Sequence, residues 1–494
     1  MIASLAAGGF FEKLQATAQN LGQFDGSIIM DILYLALFLG VGTLIKTSLP
    51  FLKRFLVPNA ILAGFAGLFL GPEFLKICNF NVSNVEQLIY HLMSIGFISL
   101  ALKERDPGKS NEAGRSGMFI VSTYLVQAVF GLAVTLGFIY LYDPTLFPTF
   151  GFFLPLGYGQ GPGQCLALGQ QWEKAGFIGG TNTGLFFATM GALWACFGGI
   201  AYVNWLIRRK HVVAGQGMTP KSQHHAGVVV ERDAADESQM SASIDRLTIQ
   251  VILIGVVYLA TYLTVYLIDF LLRGQFGTFG TTFANMIQGF AFIIGSVYGL
   301  LARMILDKLR AKGLVKENHP NNYLLNRIAG LSFDFMVTAS VAILSFTAIA
   351  RYWLPTAVLG ISGGFLTIWW CTWIGRKVFK KYPLENLAAQ YGMLTGTISN
   401  GMALLREVDP DFSSDAADNL VLGSGTGLAV GLPLLIAINI PVTGYTADQV
   451  NGTSNAWIYY LATLALLFVY MLVLTLIMTR RRKAKAEKVA KSAS

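Results

Sequence analysis

Runs of mostly apolar residues recur along this 494-residue chain, each near the ~20 residues that a helix needs to cross a bilayer. They lie at 28–49, 55–75, 86–103, 117–142, 180–207, 247–272, 280–305, 329–350, 354–375, 416–440 and 456–479, which predicts eleven spanning helices. Hydrophobic residues make up 54% of the chain and charged residues only 13%, about half of the ~25% that a soluble protein carries. Soluble, disordered and collagen-like folds are therefore excluded. The 53 glycines follow no fixed period and suit close packing between membrane helices.

The net charge of +9 does not point to nucleic acid, because the cations collect in the short gaps between apolar runs. With the N-terminus outside, all but Lys13, Lys76, Lys174, Arg273 and Arg351 of the 36 Lys and Arg fall on one side of the membrane. Under the positive-inside rule that side is the cytoplasm. The basic tail from Arg480 to residue 494 lies there too, next to anionic lipid. The expected setting is the bacterial inner membrane. Cys78, Cys165, Cys196 and Cys371 are scattered without CxxC spacing, so neither a disulfide framework nor a zinc site is implied.

Residues 1–27 form an extracytoplasmic segment without the basic start of a secretory signal. Phe10–Gln15 reads as a short surface helix or as plain N-terminus. Residues 208–246 are polar and lack apolar periodicity, so they read as a cytoplasmic linker. His224 and His225 in it have no nearby third ligand. The linker separates two similar halves, 28–207 and 247–440. Each holds four spans, a broken Gly-rich apolar segment, and a fifth span. Five crossings per half turn the second half upside down, so the expected fold is an all-α polytopic membrane protein of two inverted five-helix repeats. Residues 441–479 add an extra C-terminal transmembrane helix.

The broken segments, about 148–170 and 384–405, hold the candidate site. The first contains Gly157-Tyr158-Gly159-Gln160-Gly161-Pro162-Gly163-Gln164. The second contains Tyr391-Gly392-Met393-Leu394-Thr395-Gly396-Thr397-Ile398-Ser399-Asn400. Glycines cost a helix ~1 kcal/mol each relative to Ala, and Pro162 removes a donor. Backbone groups freed inside a membrane must be met by water, ion or substrate, and paired broken helices at matching places of two halves mark transporter sites. Alternatively, the glycines serve only tight packing. The expected substrate ligands are Gly159, Gln160, Gly161, Gly163, Asn182, Thr395, Gly396, Asn400 and Arg406. Oxygens of Thr397, Ser399 and Asp334 suit Na+, a hard cation. His91, Asp31 and Asp269 sit at span ends and read as structural. No HExxH, GxSxG or intramembrane carboxylate pair is present, so no enzyme is expected.

At these two motifs the sequence resembles the sodium/glutamate symporter family. The likeness is carried by Gly157–Gly163, by Trp172-Glu173-Lys174-Ala175-Gly176-Phe177, by Ala188-Thr189-Met190-Gly191 and by Leu52-Lys53-Arg54-Phe55-Leu56-Val57-Pro58. Gln160 and Pro162 stand where that family's first motif carries His and Thr. The resemblance implies opposed re-entrant hairpins, a homodimer, an elevator-type movement, and Na+ as coupling ion for uptake of glutamate or a similar small acidic solute. A di- or tricarboxylate carrier is the alternative within the class. An anion channel would need a continuous polar lining, whereas here the polar residues concentrate at two segments.

Overall fold

The computed structural model describes residues 27–49, 57–103, 110–208, 240–273, 280–281, 284, 287–314, 320–346, 350–409 and 414–479. The N-terminal segment, most of the 208–246 linker, Lys53-Arg54 and the basic tail lie outside these. Helix is the only regular secondary structure among the described residues. The first half gives α1 (Ile28–Ser48), α2 (Asn59–Leu70), α3 (Val82–Ala101), α4 (Ser110–Leu141), α5 (Pro162–Lys174), α6 (Gly180–Leu193) and α7 (Gly199–Arg208). The second gives α8 (Met240–Leu272), α9 (Ala291–Ala311), α10 (Asn322–Ala342), α11 (Trp353–Trp370), α12 (Pro383–Thr395), α13 (Ile398–Val408), α14 (Ala416–Ala437) and α15 (Ile440–Asn451). Last comes α16 (Ala456–Thr479).

Among the described residues each apolar run contains helix. Seven helical runs among the described residues, against the eleven expected, are long and apolar enough to cross a membrane: Ile28–Ser48, Gly114–Leu141, Gly180–Arg208, Arg246–Leu272, Trp353–Val378, Ala429–Asn451 and Ala456–Thr479; the runs at 55–75, 86–103, 280–305 and 329–350 do not supply one. The chain is thus an all-α protein of the multi-pass membrane type. Where the sequence placed one run at 416–440, the helix continues past a bend at Ile438–Asn439 to Asn451, with Pro441 in its first turn. Proline is tolerated there because that N–H has no helical partner.

Local caps fix several starts. The Asn81 side chain accepts from Ser83 N at 3.0 Å to open α3, and Asn321 accepts from Tyr323 N at 2.9 Å to open α10. Each satisfies an orphan donor of a first turn. Asp31 is buried in α1 and accepts from Asn81 N at 3.0 Å and Asn84 Nδ2 at 2.8 Å. It is a tie between helices, as the structural reading of Asp31 requires.

The described residues pack as two units, and neither coincides with a sequence half. One is drawn from Met1–Asp106, Leu156–Phe197 and Thr219–Val358, the other from Pro107–Pro155, Gly198–Met218 and Leu359–Ser494. In the first unit α10 packs on α2 and α3, and α3 packs on α9. In the second, α4 packs on α14 and α16, and α12 on α13 and α14. Leu259, Tyr262, Tyr266, Leu267 and Phe270 on α8, like Leu461, Leu466, Phe468 and Val469 on α16, are exposed. Apolar side chains on that scale belong against lipid.

All four cysteines are buried, and burial also raises the thiol of Cys78, which lies between α2 and α3. Since the thiolate is the reactive form, native background in thiol labelling should be low. Asn451→Cys should therefore label with an impermeant maleimide from outside intact cells. Lys312→Cys should label only after the membrane is opened. Labelling of both from the same side would refute the orientation read from the cations.

Candidate functional site

Both broken segments are helix, break, helix. The first runs through a short 3-10 turn (Phe150–Phe152) into a π turn (Pro155–Gln160), stops at Gly161, and restarts as α5 with Pro162 in the first turn. Gly161 N donates to Leu156 O at 2.8 Å, and Gly161 itself has φ +95° and ψ −179°. That conformation is essentially restricted to glycine. Gly163 serves packing: a Cβ there would lie 2.6 Å from Met93 Sδ of α3 and 2.9 Å from Met336 Sδ of α10.

The second segment breaks at Gly396 (φ −143°, ψ −110°), between α12 and α13. Thr397 caps α13, its Oγ1 accepting from Asn400 N at 3.4 Å. Thr395 Oγ1 donates back to Tyr391 O at 2.8 Å. The two helices touch through glycine, since a Cβ on Gly392 would sit 2.8 Å from Asn400 O and from Gly401 Cα. They form a tight helical hairpin.

The sequence-derived candidates divide between the units. Gly159, Gln160, Gly161, Gly163, Asn182 and Asp334 belong to the first; Thr395, Gly396, Thr397, Ser399, Asn400 and Arg406 belong to the second. Within the first, Gly159, Gly161 and Gly163 are buried and Gln160 and Asn182 half-buried. Asn182 Oδ1 accepts from Ser345 N at 3.0 Å, while Glu73 Oε1 accepts from Phe346 N at 3.0 Å. Together they hold the chain where α10 ends, so the oxygen of Asn182 already has a structural partner. Asp334 is exposed on α10; Met336, two residues on, is the α10 side chain that meets Gly163.

In the second unit Thr395, Gly396 and Asn400 are buried, Thr397 is half-buried, and Ser399 and Arg406 are exposed. The expected Na+ ligands Thr397, Ser399 and Asp334 thus come from two units and differ widely in exposure.

Sequence reasoning missed a buried polar network around the hairpin. Gln127 of α4 donates through Nε2 to Thr367 Oγ1 at 2.8 Å and to Leu394 O, in the last turn of α12, at 3.2 Å. Gln390 Nε2 donates to Ser116 Oγ at 2.8 Å, and Ser116 donates to Asn419 O at 2.6 Å. Asn419 Nδ2 donates to Asn386 Oδ1 at 3.0 Å. The available signals were Gln127 as a lone amide within an apolar run, and the i, i+4 spacing of Asn386 and Gln390 on one helix face. Gln127 Oε1, Gln390 Oε1 and Asn400 Oδ1 are buried with no donor among the described residues.

Buried acceptors lacking a partner are uncommon in native folds and call for an ion or water. Neutral oxygens of this kind fit a hard monovalent cation such as Na+, which prefers carbonyl and amide ligands to nitrogen or sulfur. Among the described residues no three His, Cys, Asp or Glu side chains gather in a manner that could hold a metal. No protein-family model, curated protein or solved structure matches the chain.

Proposed function

We propose that this chain is a secondary active transporter that carries a small acidic solute, glutamate or another carboxylate, in symport with Na+. The observation that carries the reading is a pair of breaks between helices, at Gly161 and at Gly396, the two places where the sequence pattern of two halves leads one to expect them. Each break lies among buried residues, where backbone freed from a helix is expensive unless a ligand meets it. The amide oxygens around the second break suit the ion. Backbone N–H groups where a half-helix restarts suit a carboxylate. Because ion and solute binding are linked, each tightens the other, and a Na+ gradient becomes work done on the solute.

The test is uptake into proteoliposomes of a labelled panel of L-glutamate, dicarboxylates and tricarboxylates. An inward Na+ gradient should drive accumulation of at least one of them, and a choline gradient should not. Equal uptake under both, or none with any member of the panel, would overturn the proposal. Thr397 refines it. Thr397→Ser keeps the cap on α13, whereas Thr397→Val deletes it at a cost of ~1 kcal/mol of stability. If the same oxygen serves Na+, Thr397→Val should also raise the Na+ needed for half-maximal uptake by about tenfold. Thr397→Ser should behave as wild type in both assays.

A further inference from the structure

Arg376 follows the π turn Cys371–Gly375 that continues α11, and its sequence position reads as one more cytoplasmic topology charge. Its geometry says otherwise. Lys377, Lys380 and Lys381 are exposed, with Lys377 lying over the Trp373 ring at 4.5 Å and Lys381 paired to Asp415 at 2.7 Å. Arg376 instead is half-buried, and its Nε and Nη2 are buried with no hydrogen-bond partner among the described residues.

Those two nitrogens form one edge of the guanidinium, the edge whose parallel N–H bonds match the two oxygens of a carboxylate or phosphate. A charged donor pair held dry and unpaired is costly, so its presence calls for an anionic partner. The surroundings belong to the second unit throughout. Tyr202 of α7, 2% exposed, shares a hydrogen bond of 2.9 Å with Thr372 Oγ1, four residues before Arg376. The Tyr202 ring lies 5.0 Å from that of Tyr391, on α12, the helix that leads to the break at Gly396.

We infer that the Nε/Nη2 edge of Arg376 holds a carboxylate of the transported solute, on the helical run that carries Thr372, the hydrogen-bond partner of Tyr202. The assignment rests on the reading of the chain as a carboxylate carrier. A lipid phosphate offers the same two-oxygen chemistry, but the two nitrogens are shut off from the surface. That location favours a ligand reaching Arg376 from within the protein.

Binding and uptake are measured separately to test it. L-Glutamate binding is read by calorimetry in saturating Na+ on protein in phosphatidylcholine nanodiscs, with and without added phosphatidylglycerol; where glutamate is not taken up, the panel member that is replaces it. Arg376→Lys keeps the charge and loses the fork, so binding should weaken about tenfold or more. Lys377→Gln, which removes the neighbouring charge, should bind as wild type. The melting temperature of each apo variant shows that it is folded.

Wild-type affinity in folded Arg376→Lys would overturn the inference while leaving the transporter reading intact. Loss of phosphatidylglycerol from Arg376→Lys with unchanged solute binding would also overturn it and assign the edge to a lipid phosphate. If the wild type neither binds nor takes up any carboxylate of the panel, the functional proposal itself fails.

Discussion

Gly161→Ala, Gly161→Val and Gly161→Asn should all cut solute uptake by roughly tenfold or more, the scale on which small displacements of a binding group act. The protein should still reach the membrane. A Cβ at Gly161 would meet nothing within 4 Å, so there is no clash to relieve. The penalty is conformational. At φ +95° and ψ −179° a side chain costs on the order of 1–3 kcal/mol, and the backbone escapes by rotating the start of α5 away from its present direction. Asn brings no relief, because Asn tolerates the left-handed helical region and not this one. Gly452, at φ 63° and ψ 27° after α15, is in that left-handed region, and Gly452→Asn should be silent. Uptake and thermal unfolding measured on this series would decide the matter. If Gly161→Asn transports normally, the break does not depend on this backbone geometry.

Gly131→Val should prevent stable folding, whereas Gly137→Val, on the same helix, should not. A Cβ at Gly131 would overlap the carbonyl of Gly151, and a Cβ at Gly151 would overlap that of Gly131 in return. Backbone thus faces backbone where α4 meets the 3-10 turn Phe150–Phe152, and no side-chain rotation can make room. Ordinary overpacking costs ~1–3 kcal/mol because side chains can yield; here helices must separate, so the loss should exceed that range. Gly137 has nothing within 4 Å of its would-be Cβ. Yield of monodisperse protein and melting temperature in detergent are the readouts. A well-folded Gly131→Val would mean that α4 and this turn do not touch.

The helices were legible because apolar runs of bilayer length leave the backbone little alternative. The two breaks were legible for the opposite reason, as glycine, proline and polar residues interrupt an otherwise apolar pattern. Side-chain direction was not legible. Asp334 and Ser399 have the right chemistry for a cation but are exposed, while Gln127 and Gln390, neither of them among the expected ligands, are fully buried. Periodicity fails here because a membrane helix is apolar on its buried and lipid-facing sides alike. Nor did the sequence halves foretell the packed units, since long-range packing regroups segments that are remote along the chain. Arg376 and Arg406 illustrate the limit: both are cations at the end of apolar runs, and only packing separates the exposed one from the one with a buried edge.

The pairing of α4 with distant helices bears on how the chain is made. Ser116 donates to Asn419, 303 residues later, and Gln127 to Leu394, 267 residues later. At ~5–20 residues per second of synthesis, α4 waits roughly 15–60 s for the partner of Ser116 to leave the ribosome. Ser122, Thr123 and Thr135 are untroubled by the delay, because each donates to a carbonyl of its own helix. Ser116 and Gln127 have their partners on segments not yet made. During that interval the insertion machinery, lipid headgroups or stray water must accommodate both, so early degradation of a stalled or truncated chain should begin from this helix.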